Sequence, residues 1–80
     1  MLNNEGEDMT RTKIRLDTLS DVNKFVEAMS TVKDKVWLAD DCGNRVEAKS
    51  LLGVLYSMEW SYIYCYCESN ITAKLMPWMV

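Results

Sequence analysis

The sequence predicts an α+β fold in which helices cover one face of an antiparallel four-stranded sheet. Four short segments, at 12–16, 35–39, 45–48 and 61–68, alternate apolar with polar or charged residues, the period-two pattern of strands with one buried face. Between the first two, Leu19, Val22, Phe25, Val26 and Met29 recur at three- and four-residue spacing and form one helical stripe. The chain has 80 residues, 49% of them hydrophobic, which allows one modest core but no walled-off catalytic cavity.

Residues 1–10 are polar, with Asn3, Asn4, Glu5, Glu7 and Asp8, and read as a flexible leader to a domain over 11–80. They hold no apolar run, so neither an export signal nor a membrane span is expected there. Thr12 to Leu16 then alternates, with Ile14 and Leu16 predicted inward and Lys13 and Arg15 outward. Asp17-Thr18-Leu19-Ser20-Asp21 supplies a cap and first-turn carboxylates for the helix that follows. Val36 and Leu38, then Val46 and Ala48, form the inward faces of a hairpin around Asp40-Asp41-Cys42-Gly43-Asn44, a run dense in turn formers. Its outward residues are Trp37, Arg45 and Glu47.

Leu51, Leu52 and Leu55 suggest a narrow apolar stripe on a short second helix, which Gly53 weakens by about 1 kcal/mol relative to alanine unless close packing requires it. In Ser61 to Glu68, Ile63, Cys65 and Cys67 share one face, and Tyr62, Tyr64 and Tyr66 the other. The two cysteines are core fillers on this reading. Asn70 caps a last helix over 71–76, which makes Asn70-Ile71-Thr72 a cap rather than a glycosylation triplet. Pro77 ends or kinks that helix, and Leu75, Met76 and Trp78 are available to pack on the sheet. The order is β-α-β-β-α-β-α.

Composition excludes several functions. There is no histidine, hence no imidazole to shuttle protons, ligate zinc or carry phosphate. Three cysteines without a CxxC pair, Cys42, Cys65 and Cys67, fit a reduced cytoplasmic setting. Asp40 and Asp41 lie in a turn, where carboxylates are solvated turn formers, and with Cys42 they are too few to hold a metal. These acidic neighbours also disfavour a Cys42 thiolate. No catalytic residue, metal site or cofactor is expected.

The element order, together with Arg45-Val46-Glu47-Ala48-Lys49-Ser50-Leu51-Leu52-Gly53-Val54, resembles the HPr family of phosphocarrier proteins over about Thr12 to Val80. Ala-Lys-Ser-Leu-Leu-Gly is similar to the family's Lys-Ser-Ile-Met-Gly segment, and Asp21 to Val26 is a weaker match to its first helix. The resemblance implies an open-faced β-sandwich with sheet order 1-4-2-3, the tyrosine strand lying between strand 1 and the Trp37 strand. The family carries phosphate on a histidine in Gly-x-His-Ala-Arg-Pro-Ala. Here that place holds Asp17 to Asp21, whose carboxylates would repel phosphate, so a sugar-transport carrier role is excluded. The family's second site, a serine phosphorylated by a bifunctional kinase, matches Ser50, with Lys49, Leu51, Leu52 and Gly53 as its docking neighbourhood. A phosphate there would lie near helix amides, whereas an unmodified serine would serve as a helix cap. The resemblance thus implies a non-catalytic regulatory module whose partner is an HPr kinase or a transcriptional regulator.

Trp37, Tyr62, Tyr64 and Tyr66 make a second candidate, an exposed contact face of rigid aromatic area. A twofold homodimer would hide two such faces at once. A competing expectation makes it a small-ligand site or a stacking platform for single-stranded nucleic acid, with Lys13, Arg15 and Arg45 meeting phosphates in the latter case. The net charge of −3 and the nearby Glu47 count against that.

Overall fold

In the computed structural model, which describes residues 10–80, the alternating segments form four strands. They are β1 (Thr10–Ile14), β2 (Val36–Ala39), β3 (Arg45–Glu47) and β4 (Ile63–Cys67), paired antiparallel throughout in the order β1-β4-β2-β3. The predicted leader lies outside the described residues except for Thr10. That residue already pairs with Cys67, so the first strand runs two residues earlier than the alternation at 12–16 indicates. Leu16 is buried all the same, just past the strand end.

Helices α1 (Leu19–Met29), α2 (Leu51–Ser57) and α3 (Thr72–Leu75) complete the order, and a 3-10 turn over Met76–Trp78 follows α3 directly. Val22, Phe25 and Met29 of α1 pack with Val54 and Leu75 against Ile14, Val36, Leu38, Ile63, Cys65 and Cys67 of the sheet. This is one core between two layers. α1 starts at a reciprocal cap: Thr18 Oγ1 accepts from the Asp21 N–H at 3.0 Å, and Asp21 Oδ2 accepts from the Thr18 N–H at 3.1 Å. Leu19, predicted in the stripe, is 65% exposed because the cap sets it on the outer side of the first turn.

α2 departs more from expectation. Its buried residues are Val54 and Ser57, while Leu51 and Leu52 are 46% and 78% exposed. The reason is Gly53, where a Cβ would stand 3.1 Å from the Val46 Cβ and 3.4 Å from the Glu47 carbonyl oxygen. The helix rests its glycine on β3, which rotates the two leucines away. Ser57 enters the core without penalty because its hydroxyl donates to the Val54 carbonyl at 2.7 Å.

The hairpin turn is built by Asp40. Its Oδ1 accepts from the Cys42 N–H at 3.0 Å and the Asn44 N–H at 2.8 Å, and Oδ2 accepts from Asn44 Nδ2 at 2.8 Å. Gly43 supplies the φ of +91° that closes it. At the other end Asn70 Oδ1 accepts from the Thr72 N–H at 3.0 Å, but the N-cap of α3 is Ile71, with no side-chain cap bond, so the expected helix over 71–76 is shortened to Thr72–Leu75 and Asn70 stands one residue before its cap. α3 ends at Leu75, ahead of Pro77, and the chain continues as the 3-10 turn that holds the proline. Trp78 is buried edge-on against Phe25, with ring centroids 5.3 Å apart, whereas Met76, expected on the sheet, points to solvent. The chain then runs beside β1, where the Arg15 N–H donates to the Trp78 carbonyl at 2.8 Å and the Val80 N–H to the Lys13 carbonyl at 3.3 Å. No helix among the described residues is long and apolar enough to cross a membrane.

Candidate functional site

Two surfaces collect the residues singled out by the sequence. The larger is the sheet face turned away from the helices. Strand pairing places Arg11, Tyr66, Trp37 and Glu47 in one row across β1-β4-β2-β3, and Lys13, Tyr64, Ala39 and Arg45 in the next. Rings therefore occupy the two central strands and cations the two edge strands, a consequence of period-two alternation on four paired strands. Trp37 and Tyr66 lie parallel, 8° apart in plane with centroids 6.4 Å apart. Each cation reaches diagonally over a ring, Arg11 over Tyr64, Lys13 over Tyr62 and Arg45 over Trp37, all at 4.5 Å from the centroid. Such pairs hold long side chains in place and keep their charge at the surface.

Arg15, expected on this face, does not reach it. Lying past the end of β1, it pairs its Nε with Asp17 Oδ1 at 3.2 Å between two exposed side chains. Arg11 takes the position the sequence reading gave to Arg15, and the reading missed it. The β-branched pair Thr10 and Thr12 on either side was the available signal, masked by the polar composition before it. A pocket of about 300 Å³ opens at the β2–β3 end of the face, where Lys35, Arg45 and Lys49 surround Trp37 and Glu47.

The second surface is the start of α2. Ser50 is exposed, and its Oγ accepts from the Gly53 N–H at 3.2 Å, the cap that the sequence indicates. Leu51 and Leu52 stand beside it in solvent and Tyr56 follows one turn on, 56% exposed. Lys49 is not a free neighbour of this serine. Its half-buried Nζ donates to the Val32 carbonyl at 2.6 Å and ties the strand end to the loop after α1. Gly53 likewise is a packing contact.

The other titratable groups with shifted pKa among the described residues serve the fold. At the start of α1 the Asp17 N–H, with the Thr18 N–H beside it, holds the Asp21 carboxyl below its usual range. The Asn44 side-chain amide does the same for Asp40. Both carboxylates are committed to turns. Burial pushes the Cys65 thiol up to about 12, with Cys67 adding to the effect, so Cys65 offers no thiolate near neutral pH. Cys42 is exposed in the hairpin turn, and no three metal-ligating side chains converge among the described residues.

Compared with known proteins, the chain matches no family model, no curated protein and no solved structure.

Proposed function

We propose that this chain is a non-catalytic HPr-like module of the cytoplasm that acts by docking a protein partner, with Ser50 as a modification site on the docking surface. The observation that carries the reading is the exposure of Leu51 and Leu52 immediately after an exposed Ser50. Two leucines left in solvent cost the fold apolar burial, which a partner would recover. The strand order β1-β4-β2-β3 and the Lys49-to-Gly53 match support the HPr resemblance. Lacking histidine, the chain would keep the family's serine site and not its phosphotransfer chemistry. A phosphoryl group on Ser50 would place about two negative charges beside the leucines and switch the surface from apolar to anionic.

The test is intact-mass analysis after incubation with ATP and an HPr kinase, with a histidine-bearing HPr in the same tube. Addition of one phosphate to the wild type and none to Ser50→Ala is the expected result. Modification of the reference HPr alone would reduce Ser50 to a helix cap.

A further inference from the structure

We propose that the open face of the sheet binds single-stranded nucleic acid, with bases stacking at Tyr66 and Trp37 and the phosphates held by the cations at the sheet edges. This surface lies across the sheet from the helices, and the proposal does not rest on Ser50.

Charge is the first argument. The whole chain carries −3, yet the paired strand residues of its open face set Arg11, Lys13 and Arg45 against one carboxylate, Glu47, with Glu68 just past the end of β4. Positive charge has been gathered onto one side of an acidic molecule, which answers the objection that the average charge raises. The track continues into the pocket beside Trp37, where Lys35 adds to Arg45.

Layout is the second. Bases need flat apolar area and phosphates need cations flanking it. The face has rings on its central strands and cations along both margins, separated by interstrand steps of about 4.8 Å, so the platform is roughly 14 Å wide and takes two or three bases. Arg11 and Arg45 already lie over Tyr64 and Trp37, and a guanidinium plane is itself a stacking surface. Tyr66 sits at the centre, parallel to Trp37, with no cation over it among the described residues. Half-buried, it is the ring on which the first base lands.

The same charges disfavour other occupants. A second copy placed face to face would bring two cationic surfaces together, with one Glu47 on each side to offset three cations. An acidic peptide satisfies the cations and leaves the parallel rings without a flat partner.

Fluorescence anisotropy of a labelled ten-nucleotide oligo(dT), titrated with the full-length chain at 50 mM salt, tests the idea. Saturable binding is expected, with log affinity falling against log salt at a slope near −2, the value for about three phosphates on a single strand. Tyr66→Leu, which keeps an apolar strand residue and removes the ring, should weaken binding about tenfold, the loss of one stacked base. Arg11→Gln, at an exposed position, should flatten the slope by about 0.7. Unchanged thermal melts of both variants tie these losses to the surface. Absence of binding at 50 mM salt overturns the proposal. So does equal binding of heparin or duplex DNA with no effect of Tyr66→Leu, which would mark a polyanion patch. A dimer in sedimentation equilibrium that Tyr66→Leu returns to monomer would assign the face to a second copy and likewise end the proposal.

Discussion

Cys65 shows how one side chain can be silent at neutral pH and decisive at high pH. The thiol is 1% exposed on β4, and burial holds its proton up to about 12, against an ordinary value of 9.0. Above pH 9 the unfolded chain releases this proton while the folded chain keeps it, so the folded state binds more protons and loses stability as pH rises. The contribution is complete below 9 and falls away toward 12, at about 1.4 kcal/mol per pH unit. Urea unfolding between pH 8 and 11 should therefore show a steeper decline for the wild type than for Cys65→Ala; parallel declines would mean that the thiol titrates alike in both states. The face of Cys65 was legible in the sequence because the alternation Ile63-Tyr64-Cys65-Tyr66-Cys67 admits only two arrangements, and aromatic hydroxyls favour the wetter side. The identity of the edge cations was less so. Composition before Thr10 looked like leader, and the pairing of Thr10 with Cys67 depends on a strand far along the chain.

Among the elements, α2 best separates propensity from packing. Its leucines form a stripe on paper, yet the helix presents Gly53 to β3 with the Val46 Cβ 3.1 Å from where a methyl would stand. Sequence periodicity reports which residues share a face, and does not report how near a helix must come to its sheet. Alanine at position 53 brings a helix-propensity gain of about 1 kcal/mol and a collision with a branched residue that has little room to move. Gly53→Ala should for this reason be no more stable than wild type. In a Val46→Ala background, where the collision is relieved, the same substitution should become stabilising relative to that background. A thermal-melt cycle reads this coupling, and equal effects in both backgrounds would show that the contact exerts no control. α1, by contrast, followed its signals closely, since Thr18 and Asp21 form the cap their spacing indicates.

At the scale of the whole molecule, layer arrangement followed from alternation, strand order from resemblance, and the packing of Leu75 and Trp78 was expected, whereas the pairing of residues 78–80 with the chain beside β1 was not. Pro77 ends α3 as read, and the chain continues in a 3-10 turn that carries Trp78 into the core against Phe25. Proline breaks an α-helix for want of an N–H, a requirement the first residues of a tight turn do not impose. Trp78→Ala should cost about 3–5 kcal/mol, a large share of what a domain this small possesses, and lower the melting midpoint by roughly 12 °C or more. A shift of a few degrees would place the ring outside the cooperative core. The same closure bears on how the protein is made. β1 and Arg15 just past its end find their partners among the described residues in β4 and in the backbone of Trp78 and Val80, all of which leave the ribosome long after Ile14 does. At roughly 5–20 residues per second, the first strand waits several seconds with its hydrogen-bonding groups unmatched. Assembly during translation is then a late, concerted event, and slowing elongation through the codons for residues 63–80 would prolong the interval in which a nascent chain is open to wrong pairing.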